Sequence, residues 1–210
     1  MPIRGVCIRG VGVILLLCWL YFDLTDMGRR EHRQRIDVRN VMDNLIALVD
    51  IDDRITGYET KEEVHRRGLL HRAFSVFIVR DGEMLIQMRN PDKYHSGGLW
   101  SNTCCSHQRL GEELEESVHR RMIEEMGFDC DLEEKFSFVY RTQFRPDLIE
   151  YEYDHVFVGT YDGEVRVNPE EASEIKWISF EELKRELVDT PEKFSSWFII
   201  CAPKVMAGTR

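Results

Sequence analysis

Cys104 and Cys105 stand side by side in the stretch LWSNTCCSHQRLGEE, with His107 two places on and acids close behind. A thiol near imidazole and carboxylate can donate a proton, act as a nucleophile or ligate a metal, and spacing alone leaves all three open. Because the two cysteines are adjacent, at most one of them points into a given site. A second set of residues suits metal chemistry. His65 and His71 flank RRGLL, His107 follows the cysteines, and Glu150 and Glu152 alternate in IEYEYDHVF. On a strand, residues i and i+2 share a face, so the two carboxylates project together while Tyr151 points away. Such a pair repels unless a cation lies between its members. Imidazole with carboxylate suits a divalent ion such as Zn, Mn or Fe. Surface histidines beside a solvated acidic strand are the competing reading, and the aromatic surroundings of the two glutamates argue for a central strand instead.

A third set lies on a helix. In EELEESVHRRMIEEMGF, Leu114, Val118, Met122 and Met126 recur every four residues, and Gly127 ends the run. Glu112, Glu116 and Glu124 fall at multiples of four and Glu125 adjoins them. Stacked carboxylates of this kind can hold Mg2+ against a diphosphate.

The elements that must position these residues follow from local pattern. LIALVDIDD reads as a strand entering an acidic turn, and KEEVHRRG as a short helix closed by Gly68. HRAFSVFIVRDGEMLIQMRN is a hairpin turning at Asp81-Gly82. A Gly97-Gly98 turn then leads into a loop that carries CCSH. KFSFVYRTQF and IEYEYDHVFVGTY are strands by alternation. EIKWISFEELKREL is a strand followed by a helix capped by Ser179, and PEKFSSWFII is a last short helix. Strands and helices mix without a regular βαβ repeat, which predicts an α+β sandwich with helices packed on a mixed sheet.

The 210 residues suffice for one sizeable domain, and 43% apolar with 31% charged residues is a soluble, globular composition. A net charge of −10 excludes a nucleic-acid partner, which requires a basic surface. The charge is uneven: residues 1–39 hold seven Lys/Arg against four Asp/Glu, and the remainder 21 against 34. A basic leader of residues 1–40 therefore precedes an acidic domain of residues 41–210. Within the leader, Gly10–Phe22 is an uncharged run of 13 residues, short of the ~20 needed to span a membrane. No A-x-A-like cleavage site follows it. A targeting or anchoring segment, a non-native extension ahead of a start at Met27 or Met42, and a helix docked on the domain all remain open. Arg29, Arg30, Arg33, Arg35 and Arg39 read as a solvated linker. The six cysteines form no disulfide framework and suit a reducing, cytoplasmic setting, with membrane association left open by the leader.

Together these stretches resemble a known family. The helix is similar to the Nudix signature G-x5-E-x7-R-E-U-x-E-E-x-G-U (U apolar), matched by Glu112, Arg120, Met122, Glu124, Glu125, Gly127 and Phe128. It departs at Ser106, which replaces the leading glycine, and at Arg121, which replaces a metal-binding glutamate. With GLLHRAFSVF, LWSNTCCSH, EYEYDHVF and FSSW, the chain from about Val41 to Pro203 resembles type I isopentenyl-diphosphate Δ-isomerases. The resemblance implies a Nudix-like α/β/α sandwich and the conversion of isopentenyl to dimethylallyl diphosphate. It implies catalytic roles for Cys105, Glu152, Tyr140 and Trp197. It also implies a divalent-metal site of His65, His71, His107, Glu150 and Glu152, holding Mn2+ or Zn2+. Glu125 would bind the Mg2+ that accompanies the diphosphate, and Lys61, Arg89, Lys93 and Arg121 would bind the diphosphate itself. The partner is then a small isoprenoid diphosphate, with neither nucleic acid nor a stable membrane partner, and the enzyme a monomer or homodimer. The alternative is a Nudix pyrophosphohydrolase acting on a nucleotide or isoprenoid diphosphate, against which Arg121, Cys105 and Trp197 speak.

The implied chemistry fits these residue types. Moving a double bond by one carbon requires a proton added to an unactivated alkene and another removed from the neighbouring carbon, through a cation-like transition state. An acid and a base must stand at opposite ends of the allyl unit. The Trp197 ring face can stabilise the cation by ~2 kcal/mol in a desolvated pocket. The order in which Cys105 and the Glu152–Tyr140 pair act stays open.

Overall fold

In the computed structural model, residues 44–209 are described. The leader, its apolar run and its arginine cluster lie outside them, as does the proposed domain start at residue 41. Nine strands form one mixed sheet: β1 (Leu45–Val49), β2 (Ile55–Thr60), β3 (His71–Arg80), β4 (Glu83–Arg89), β5 (Trp100–Ser101), β6 (Cys104–His107), β7 (Leu132–Arg145), β8 (Leu148–Gly159) and β9 (Ala172–Ser179). Among the described residues, four α-helices accompany them: α1 (Lys61–Arg67), α2 (Leu114–Met126), α3 (Phe180–Asp189) and α4 (Ser196–Gly208).

Strand β3 organises the sheet. Along one edge it pairs in parallel with β8, from His71↔Glu152 to Ile78↔Gly159. Its other edge is shared by β1 at His71, β6 at Ala73–Val76 and β4 at Ile78–Arg80, all antiparallel. Both faces of β3 are covered, so it reads as a continuous apolar run rather than an alternation. Phe74, Val76 and Ile78 meet Val118, Met122 and Met126 of α2. Phe77 and Val79 meet Leu183 of α3 and Phe198, Ala202 and Val205 of α4. The result is the α/β/α sandwich that the residue patterns and the resemblance imply.

Two local expectations change. The CCSH segment is not a loop but the strand β6, held by four residues of β3. Its sequence is too short and too polar to announce a strand; pairing with β3 makes it one. The PEKFSSWFII segment is also not one short helix: Pro191–Lys193 forms a separate 3-10 turn, and the last helix starts at Ser196 and runs through Pro203 to Gly208. An internal proline costs a helix about 3 kcal/mol, but here α4 buries Trp197, Phe198, Cys201, Ala202, Val205 and Met206, which outweighs it. The remaining signals form as read. Gly68 and Gly127 close α1 and α2 in the left-handed conformation, and the Ser179 side chain accepts from the Glu182 N–H. No helix among the described residues is long and apolar enough to cross a membrane.

Candidate active site

Strand register decides which side chains share a face. Cys105 lies opposite Ser75, and His107 opposite Ala73. Glu152 lies opposite His71 on the other edge of β3, and Tyr140 of β7 lies opposite Glu152. By two-residue alternation, His71, Cys105, His107, Glu150, Glu152 and Tyr140 all project from the sheet face that carries α4. Cys104 projects from the other face, fully buried beside Val76 and the methionines of α2. Burial pushes its thiol well up, and Glu125 adds to the rise. Cys104 is therefore a core residue.

Helix α1 adds His65. Thr60 caps its start by accepting the Glu63 N–H at 3.4 Å, and Gly68 turns the chain back into β3. His65, His71, His107 and Glu150 are all buried, and each offers one ligand atom within 4.8 Å of the others. Glu150 Oε2 lies 3.2 Å from His65 Nε2 and 3.6 Å from His71 Nε2. Glu152 Oε1 lies 3.2 Å from His107 Nε2 and 3.7 Å from His71 Nε2. The buried atoms His65 Nε2, His71 Nε2 and Glu150 Oε2 have no well-formed hydrogen bond, although they face one another. Unsatisfied buried polar atoms are costly, and three of them converging on one point fit a divalent cation. His71 Nδ1 donates to the Leu69 carbonyl at 2.9 Å, which leaves Nε2 free to ligate.

The electrostatics of the cluster's own groups point the same way. Burial opposes a charge on His71, yet the nearby carboxylates of Glu150 and Glu152 raise it to about 9. Burial lowers His107 to about 3. Burial also works against ionisation of Glu150, but His65, His71 and His95 hold it well below the usual carboxylate range. The cluster thus holds both carboxylates in the charged form that suits a cation.

Beside this cluster is a cavity of about 210 Å3 lined by Cys105, Tyr140, Glu150, Glu152 and Trp197. Tyr140 Oη donates to Glu152 Oε2 at 2.6 Å. Burial, then the Glu152 charge, lifts the phenol well above its ordinary range, so it stays a donor. Burial pushes the Cys105 thiol up to about 12 against the pull of Arg89, whose Nη1 lies 3.8 Å from Sγ. A neutral thiol suits proton donation, not thiolate attack. Trp197 is fixed by its indole N–H, which donates to Asn102 Oδ1 at 2.9 Å, and the Arg89 guanidinium lies 5.2 Å from its ring centroid.

The cations Lys61, Arg89, Lys93 and Arg121 also line the cavity, together with Arg109. Burial lowers Lys61, against the pull of Glu150 and with help from Arg89 and Arg121. Arg121 is ion-paired with Glu125 on α2 and reaches Glu171 at 3.1 Å. Lys93 Nζ lies 2.5 Å from the other oxygen of Glu171. Glu125 itself is buried behind Arg121 and does not line the cavity. Glu112, Glu116 and Glu124 also lie outside the cavity lining, Glu112 and Glu124 paired with Arg120. The other residues that the resemblance implies for the site lie in the cavity wall or in the histidine cluster next to it.

Sequence reasoning missed several members. Asp154 continues the row of Glu150 and Glu152 and accepts from Ser75 Oγ at 2.9 Å; extending the alternation by one step would have found it. Tyr94 and His95 sit between Lys93 and the Gly-Gly turn, where an aromatic–histidine pair was the available signal. Glu171 comes from the segment before β9 and has no local signature.

A NUDIX domain model matches residues 69–198, more than half of the chain. An "Isopentenyl-diphosphate Delta-isomerase 2" of Aromatoleum aromaticum is 47% identical over 167 residues, covering 79% of this chain and 88% of its own. One of the same name from Photorhabdus laumondii is 46% identical over 158 residues, covering 75% and 89%. A solved protein from Deinococcus radiodurans superimposes with a TM-score of 0.63 at 19% identity, over 79% of this chain and 99% of that one. The MutT protein of Methanosarcina mazei Go1 gives 0.52 at 19%, over 67% and 96%. At such identities these two structures speak for the fold alone.

Proposed function

The chain belongs to the isopentenyl-diphosphate Δ-isomerase family, with a NUDIX domain, and from that premise we propose that it converts isopentenyl diphosphate to dimethylallyl diphosphate. The observation that carries this reading is one cavity lined at once by a neutral thiol, a Tyr-supported carboxylate and an indole. Cys105 and the Glu152–Tyr140 pair exchange protons with the two ends of the allyl unit. One proton is added at the terminal carbon and one removed from the carbon nearer the diphosphate, so the double bond moves with no net change in atoms. Trp197 stabilises the positive charge that develops between these steps. Lys61, Arg89, Lys93 and Arg121 hold the diphosphate. That grip supplies binding energy away from the reacting carbons, which can be used to orient them.

His65, His71, His107, Glu150 and Glu152 would hold a divalent ion, Mn2+ or Zn2+, whose positive charge keeps the two carboxylates ionised in a dry site. Glu125 would meet the Mg2+ that arrives with the diphosphate, once Arg121 turns from it to the phosphates. The free thiols at Cys104, Cys105, Cys130 and Cys201 suit a cytoplasmic enzyme.

The test is incubation with isopentenyl diphosphate and Mg2+ in deuterated water, followed by NMR. Wild type should form the dimethylallyl isomer with deuterium incorporated, and Cys105→Ala should form none. Release of phosphate or pyrophosphate without isomerisation would replace this reading with the hydrolase one.

A further inference from the structure

Two consecutive residues of the loop between β4 and β5, Tyr94 and His95, reach two different members of the histidine–glutamate cluster from outside it. Tyr94 Oη lies 3.2 Å from His65 Nδ1. His95 Nε2 lies 2.8 Å from Glu150 Oε1. Neither residue belongs to the group of atoms that converges on the candidate ion. Each instead occupies the far side of a ligand. Glu150 turns Oε2 inward to His65 and His71 while His95 holds Oε1. His65 turns Nε2 inward while its Nδ1 faces the tyrosine hydroxyl.

The hydrogen-bond pattern assigns the His95 tautomer. Ser96 Oγ lies 3.2 Å from His95 Nδ1 and can donate to it. The ring proton then sits on Nε2 and is donated to Glu150. With the His65 Nε2 lone pair on an ion, the remaining ring proton sits on Nδ1 and is donated to the Tyr94 oxygen, which lies within hydrogen-bond distance. The His95 ring has little freedom to leave. It stacks on Phe144 at 4.7 Å between centroids, with the edge of Trp197 at 5.9 Å. Its side chain is only 6% exposed. Among the described residues, no other side chain donates to Glu150 from outside the cluster.

We infer that Tyr94 and His95 are positioning residues for the metal centre: the loop supplies the outer hydrogen bonds that fix the His65 tautomer and the Glu150 rotamer for ligation. The inference rests on the metal site proposed above and extends it to residues outside the ligand set. Loss of such outer partners typically costs about 10- to 100-fold in metal affinity.

The experiment titrates Zn2+ and, separately, Mn2+ into chelator-stripped full-length protein without substrate, reading affinity by competition with a chromogenic chelator and, for Mn2+, by the EPR signal of the free ion. His95→Leu should bind at least about 10-fold more weakly than wild type. His95→Gln, which keeps an N–H donor, should recover most of that loss. Tyr94→Phe, at a half-exposed position that does not threaten folding, should also weaken binding about 10-fold. Thermal melts of the stripped proteins separate folding from binding, and if His95→Leu does not fold, Tyr94→Phe and His95→Gln decide. Wild-type affinity in folded His95→Leu and in Tyr94→Phe would overturn the inference while leaving the ligand set standing. Equal losses in His95→Leu and His95→Gln would also overturn it, since the hydrogen bond would then not be what matters. A wild type that takes up neither ion would overturn both the inference and the metal centre beneath it.

Discussion

The two adjacent cysteines have unrelated environments. Cys105 faces the cavity beside Arg89, and Cys104 faces α2 in a packed apolar layer. Their chemistry therefore separates. Cys104→Ala removes one buried sulfur and is expected to destabilise the fold by about 1–2 kcal/mol while turnover stays within about threefold of wild type. Thermal melts and the isomerisation assay measure both quantities. Equal loss of activity in Cys104→Ala and Cys105→Ala would show that the register argument chose the wrong thiol. The same alternation explains what was legible at this scale. Glu150 with Glu152 could be paired from sequence because both lie on one strand. Cys104 could not be assigned, because its partner strand β3 is about 30 residues away and the CCSH segment does not look like a strand by itself.

Among the elements, the loop Asn90–Gly98 and helix α2 make distinct predictions. Gly97 packs so closely on the Pro91 backbone that an added Cβ would collide with the Pro91 carbonyl oxygen. Gly97→Ala must open the loop that carries Lys93, Tyr94 and His95. A rise of at least about 10-fold in KM for the diphosphate is expected, with little change in melting temperature because the loop lies outside both core layers. Unchanged KM would show that the loop does not shape the site. At α2, Arg120 bridges Glu112 at 2.6 Å and Glu124 at 3.0 Å. Burial raises Glu112, but Arg120 and Ser117 outweigh it and hold the carboxyl below its ordinary value of 4.5. A depressed folded-state pKa means stability that is present above the unfolded value and lost as pH falls through the folded one. Wild type should therefore exceed Glu112→Gln by about 1 kcal/mol at pH 7, a modest figure because the pair is partly solvated. That difference should fade below about pH 4.5 in denaturant titrations at several pH values. A pH-independent difference would assign it to packing instead.

For the whole molecule, an acidic chain gathers five Lys and Arg side chains in the wall of one cavity, which focuses its field on an anionic ligand. All proposed site residues fall between Lys61 and Trp197, so we propose that residues 41–210 form the isomerase domain. A chain begun at residue 41 is expected to keep turnover within about twofold of the full protein, since no named group is removed. Insolubility or inactivity of that chain would assign the leader a part in the domain. The sequence by itself determined the α+β class, the hairpin, the capped helices and the family, and it named candidate residues that the structure gathers around one cavity. Each of these depends on local periodicity, on local caps or on motifs read along one stretch. Only the tertiary structure decided that CCSH is a strand, that Cys104 belongs to the core, that Glu125 lies behind Arg121, and that Tyr94, His95, Asp154 and Glu171 join the site. Those facts depend on pairings and approaches between segments tens of residues apart, and no local pattern encodes such distances.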